Sequence, residues 1–126
     1  MSETGNIRQN IETVEEAYEY MLAYAAQGRA EEGAGADGAQ IRTFLRQYSV
    51  AVDAIIEALD SIVESNAEAG VFVKNFRSES ETMASVLNIM LARDNISSEV
   101  VDNANGLISV RAYLTSLFFM DKAILQ

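Results

Sequence analysis

Ile41-Arg42-Thr43-Phe44-Leu45-Arg46-Gln47-Tyr48-Ser49-Val50-Ala51-Val52-Asp53-Ala54-Ile55-Ile56-Glu57-Ala58-Leu59-Asp60-Ser61-Ile62 is the stretch on which the fold turns. Ile41, Leu45, Tyr48, Val52, Ile55, Leu59 and Ile62 recur at alternating steps of four and three. That spacing places them all on one stripe of an α-helix. Phe44, Ala51, Ile56 and Val63 flank the stripe and widen it. A face this broad suits a globular bundle better than a two-stranded coiled coil. The helix is predicted from about Ala39 to at least Glu68. Asp53, Glu57, Asp60 and Glu64 form a parallel acidic stripe, which is either a solvated flank or a docking face for a basic partner. Arg42 and Arg46 near the amino end, with Asp60, Glu64 and Glu68 near the carboxyl end, oppose the helix dipole. At ~0.3 kcal/mol per exposed charge this is either tolerated or serves pairing with a neighbouring helix or partner.

Working outward, the amino-terminal segment repeats the pattern. Ile7, Ile11, Val14, Tyr18, Met21 and Ala25 alternate by four and three, predicting a helix from about Asn6 to Gln27. Glu12, Glu15, Glu16 and Glu19 lie on its other sides. Tyr20 and Tyr24, one turn apart, broaden its apolar face. Gly28 to Gly38 holds four of the seven glycines and no apolar residue larger than alanine, so a flexible loop is predicted there. Neither Gly-x-Gly-x-x-Gly nor Gly-x-x-x-x-Gly-Lys occurs in it, which argues against a phosphate cradle.

Beyond Ile62 the rhythm is less regular. Gly70 is placed to end the long helix, yet Ala69, Val73 and Phe76 continue its spacing, so a bend or break near Gly70 is expected. Ser78-Glu79-Ser80-Glu81 matches a capping box and predicts the start of a third helix, with Met83, Val86, Leu87, Met90 and Leu91 buried and its end near Arg93. Asp94-Asn95-Ile96-Ser97 reads as a turn, with Ser97 the N-cap of a last helix over about Ser98 to Leu125. Gly106 inside it costs about 1 kcal/mol relative to alanine and marks close packing or a kink. The fold class is therefore all-α: an antiparallel four-helix bundle, with a broken or fifth short helix around Gly70, in a single domain spanning 1–126.

Composition narrows the chemistry. The chain has no proline, cysteine or histidine and a net charge of −10. Lack of histidine and cysteine removes the commonest general base and metal ligands, zinc sites built on those residues, disulfides and thiol catalysis. No nucleophile elbow occurs, and no carboxylate pair stands out from the rest, so no catalytic, cofactor-binding or metal residue is assigned and a non-enzymatic role is expected. Leu59-Asp60-Ser61-Ile62 is similar to the Asp-Ser-Leu attachment site of acyl carrier proteins. Ser61, however, lies inside an uninterrupted helical pattern, where that family's serine opens a helix. Histidine phosphotransfer domains share the size and helicity but need a histidine.

Acidity opposes binding to nucleic acid and to anionic membranes, and favours basic proteins as partners. No apolar run reaches the ~20 residues needed to cross a bilayer. The polar first ten residues carry no signal-peptide core, so a cytoplasmic setting is expected. The last third of the final helix is apolar nearly all round, with Leu117-Phe118-Phe119-Met120 consecutive. Tyr20, Tyr24, Phe118, Phe119 and Met120 are the candidate interface residues, and Asp53, Glu57, Asp60 and Glu64 the candidate acidic docking face. Together they point to an adaptor, chaperone or accessory subunit that binds a protein partner and self-associates, most simply as a dimer. A ligand-binding or sensory bundle with an apolar cavity, and an acidic mimic of nucleic acid, are the alternatives. In size, acidity and helicity the chain resembles type III and flagellar export chaperones, a resemblance of composition with no shared motif.

Overall fold

Five helices carry the architecture: α1 Glu3–Ala26, α2 Ala36–Ser65, α3 Gly70–Leu91, α4 Ser98–Gly106 and α5 Ile108–Ala123, with a 3-10 turn at Ala67–Ala69. The computed structural model describes residues 3–33 and 36–126, with side chains described outside 3–5 and 36–39. Ala34 and Gly35, which fall in the predicted glycine-rich loop, lie outside the described residues. No strand occurs among those described, and the fold is all-α.

The stripe of α2 is the spine. Ile41, Leu45, Tyr48, Val52, Ile55, Leu59 and Ile62 are all buried, as the four–three spacing requires. α1 lays Ile7, Ile11, Val14, Met21 and Tyr24 against it, and α3 lays Val73, Phe76, Met83, Leu87 and Met90 against its other side. α5 packs on α3 through an aromatic staple: Phe72 meets Phe119 at 5.3 Å and Phe76 stacks on Tyr113 at 5.4 Å between ring centroids. The side-chain pairings run in opposite senses along α2–α3 and along α3–α5, so each of these pairs is antiparallel. Removing one wholly buried side chain such as Leu59 would cost ~2–5 kcal/mol.

Several boundaries differ from the sequence reading, among them the start of α2 at Ala36, inside the loop expected over Gly28 to Gly38. The long helix ends at Ser65, not beyond Glu68. Asn66 leaves helical geometry at φ −143° and ψ 78°, and its side-chain amide donates to the Ile62 carbonyl at 3.1 Å. Gly70 is therefore the first residue of α3, at φ −55°, and needs no glycine-specific conformation. The capping box at Ser78–Glu81 caps nothing, because α3 runs through it. Ser80 occupies the buried seam between Phe76 and Met83, and its hydroxyl donates to the Phe76 carbonyl at 2.7 Å. A serine in that place hid the continuity of the stripe.

The last predicted helix is in fact two. Leu107, at φ −63° and ψ 133°, is extended, and it separates α4 from α5. The break expected around Gly70 is present as Asn66 and the short 3-10 turn Ala67–Ala69, and a second break at Gly106–Leu107 adds a fifth α-helix. Ser97 does cap α4, its hydroxyl accepting from the Val100 amide. Gly28, at φ 66°, turns the chain off α1 in the left-handed conformation that favours glycine there.

Candidate interaction cleft

α1 packs on α2 and, at one end, on α4; α2 packs on α3 and α3 on α5, but α1 and α5 share no contact of comparable extent. The ring of four long helices is open along one seam. Helical register shows which residues face it. Arg8, Glu15, Tyr18, Leu22 and Ala25 lie on one flank of α1. Leu107, Arg111, Leu114, Phe118 and Asp121 lie on the opposing flank of α5 or just before it.

One end of the seam is tied. The Arg8 guanidinium donates to the Leu125 carbonyl at 2.9 Å and stands 4.0 Å from the Asp121 carboxylate. The other end widens into a cleft of about 650 Å³ bounded by α1, α4 and the start of α5. Tyr18 and Leu22 form one wall, Asp102 and Asn105 the end, and Leu107 and Arg111 the other wall. Leu22, Leu107 and Phe118 are 45%, 43% and 38% exposed. Arg111 is exposed and has no ion pair or side-chain hydrogen bond among the described residues. Asn105 is buried, and its side-chain amide donates to the Met21 carbonyl, fastening α4 to α1 behind the cleft. These groups give apolar grip with polar anchors. They include no nucleophile hydrogen-bonded to a base.

The position of α4 is set by a polar clasp beside the cleft, where the loop after α1 meets the loop after α3. The Tyr24 hydroxyl donates to the Ile96 carbonyl at 2.6 Å, and the Ser98 hydroxyl donates to the Tyr24 carbonyl at 2.6 Å. The Arg29 amide donates to the Ser98 hydroxyl at 2.8 Å, and the Ser98 amide donates back to the Arg29 carbonyl at 2.9 Å. Asn95 bridges the loops, accepting from the Glu32 amide and donating to the Ala30 carbonyl.

Arg42 and Glu32 lock the clasp. The guanidinium of Arg42 bonds both Glu32 carboxylate oxygens, at 2.7 and 3.0 Å. It also donates to the carbonyls of Leu91, Arg93 and Asp94. Arg42 sits unfavourably on its own helix dipole, but antiparallel packing brings it to the carboxyl end of α3, where a cation is favoured. Burial opposes ionisation of Glu32, but the Arg42 hydrogen bonds and the Ile96 amide outweigh it and hold the carboxyl below its usual value. Burial first, then the nearby Glu32 carboxylate, pushes the Tyr24 hydroxyl up. Tyr48 and Tyr113 are raised by burial in the core.

The residues singled out from sequence separate into different places. Tyr24 and Met120 are wholly buried and offer no surface, because Tyr24 belongs to the clasp and Met120 to the core. Tyr20 is half-buried and stacks on Phe44 at 4.2 Å within the α1–α2 packing. Phe118 is on the open seam, whereas Phe119 is 54% exposed on the α3 side of α5. Asp53, Glu57, Asp60 and Glu64 are all exposed along α2, with Asp60 paired to Arg77 at 2.8 Å. Among the described residues no cluster of carboxylates is arranged to hold a metal ion. No described helix is long and apolar enough to cross a membrane. Sequence reasoning missed Leu22, Asn105 and Arg111 as site residues. Leu22 lies off the main stripe of α1, and the other two gain their role only from the break at Leu107. Comparison with known proteins returns no match, whether to a family model, a curated protein or a solved structure.

Proposed function

We propose that this chain is a protein-interaction module, an adaptor, chaperone or accessory subunit, which receives an apolar segment of a protein partner in the seam between α1 and α5. The observation that carries this reading is the 650 Å³ cleft with Leu22 and Leu107 exposed on opposite walls. A volume of this size lies within the ~300–1,000 Å³ range of sites that take a ligand or a few anchoring side chains. A non-enzymatic role and a cytoplasmic setting go with this reading. Affinity purification with wild type and with a Leu22→Glu/Leu107→Glu variant tests it. The expected result is a protein partner captured by wild type and lost from the folded variant. Equal capture by both, or no capture by either, overturns it.

A second reading is self-association, and a separate feature favours it. Phe119 is exposed where α3 and α5 meet, against the half-buried ring of Phe72, and Val71, the residue before Phe72, is also exposed. Burying this edge against a second copy would give a symmetric dimer. Light scattering across a concentration series is expected to show a dimer that Phe119→Asp dissociates; a strict monomer removes this reading.

A further inference from the structure

The charge around the seam specifies what kind of segment fits it. Glu15 precedes Tyr18 by three residues, and Glu19 precedes Leu22 by three, so both carboxylates border the α1 wall. Asp102 lines the end of the cleft, and Glu99 stands one turn before it on α4. All four are exposed, in a chain of net charge −10. Among the described residues Arg111 is the cation in the cleft's lining, beside the amino end of α5, whose cap Leu107 supplies no side-chain acceptor; Arg29 lies beside Glu99 and Asp102, and Arg8 at the tied end is held by the Leu125 carbonyl and Asp121. The seam is therefore an apolar floor whose rim carries more carboxylates than cations, with Arg111 the cation that has no side-chain partner among the described residues.

Its length is also defined. From Leu107 to Phe118 the α5 wall covers about three helical turns, roughly 16 Å. That matches an amphipathic helix presenting apolar residues at i, i+4, i+7 and i+11. Such a helix would cover Leu22, Leu107 and Phe118 and fill the open side of the bundle.

Resting on the docking reading above, we infer that the seam binds a basic amphipathic helix of a protein partner. Lysine or arginine on the partner's flanks meets Glu15, Glu19, Glu99 and Asp102, and its apolar stripe enters between Leu22 and Leu107. Its carboxyl end, the negative end of its dipole, points toward Arg111. The partner helix thus runs antiparallel to α5.

Two fluorescent peptides of about 16 residues test this by anisotropy against the full chain. Both carry leucine at the four–three spacing; one has lysine on the flanks, the other glutamate. The basic peptide is expected to bind at least about tenfold tighter, and to weaken as salt rises from about 50 to 300 mM. Leu22→Asp should abolish its binding, and Val50→Lys, on an exposed site over the α1–α2 groove, should leave it unchanged. A Glu15→Lys/Glu19→Lys/Asp102→Lys variant should reverse the preference between the peptides. Equal binding of both peptides overturns the basic-partner inference but leaves apolar docking standing. Binding of neither overturns both. A chain that self-associates, and that Leu22→Asp renders monomeric, shows the seam to be filled by a second copy and likewise overturns the inference.

Discussion

The clasp and the seam lie side by side at one end of the bundle, and they solve opposite problems. In the clasp, two loops that share one large apolar anchor, the buried Ile96, are held by donors and acceptors that satisfy one another: Arg42 with Glu32 and three carbonyls, Ser98 with Tyr24 and Arg29. In the seam, two amphipathic helices face each other without closing, and Leu22, Leu107 and Phe118 stay exposed, with Arg111 unpaired among the described residues. A satisfied polar network fixes geometry and leaves little to offer a partner. An unclosed apolar seam contributes little to stability and leaves surface free for binding. The clasp holds α4 in place, and α4 is the end wall of the cleft, so the rigid region shapes the open one.

That contrast can be broken at its strongest point first. Arg42→Ala should destabilise the fold by about 3 kcal/mol, because it strands the Glu32 carboxylate and frees carbonyls at the end of α3. Urea unfolding checks this; a loss below about 1 kcal/mol would mean that the clasp is ornamental to the fold. Ser98→Ala should cost about 2 kcal/mol, since its buried hydroxyl both donates to Tyr24 and accepts from Arg29.

Acid should act on the same lock. Glu32 has a lower pKa in the fold than in the unfolded chain, so the folded state binds fewer protons there. Its contribution is complete above the unfolded carboxyl value and is lost as pH falls through the lower folded value. The stability difference between wild type and Glu32→Gln should therefore shrink in that window and stay constant toward neutrality. A difference that is flat throughout would contradict the ionic lock.

The smallest stability effects belong to the seam. Leu22→Ser and Phe118→Ser should each change stability by only about 0.5 kcal/mol, in keeping with partly exposed sites. If either costs as much as Ser98→Ala, the seam is part of the core and the contrast fails.

Legibility in the sequence follows the same division. Periodicity gave α1 and α2 and their buried stripes, since burial along one face leaves a repeating mark. It missed the unity of α3 because Ser80 interrupts the apolar stripe with a hydroxyl that satisfies itself on Phe76. It missed the break at Leu107 because a single extended residue leaves the flanking apolar pattern unchanged. The clasp was invisible, as its partners lie far apart in the chain: Glu32 with Ile96, Arg29 with Ser98. Only the misplaced charge of Arg42 hinted at it. The apolar excess on the first and last helices was legible. Its assignment to Tyr24 and Met120 was not, because neighbours on a hydrophobic helix do not declare which one faces inward.

Residue-resolved NMR of the full chain, titrated with the lysine-flanked amphipathic peptide, tests the central claim most directly. Shifts are expected to concentrate at Tyr18, Leu22, Leu107, Arg111 and Phe118, with the Asp53–Glu64 flank of α2 unmoved. Shifts centred on that flank, or on Val71 and Phe119 with the seam silent, would contradict it.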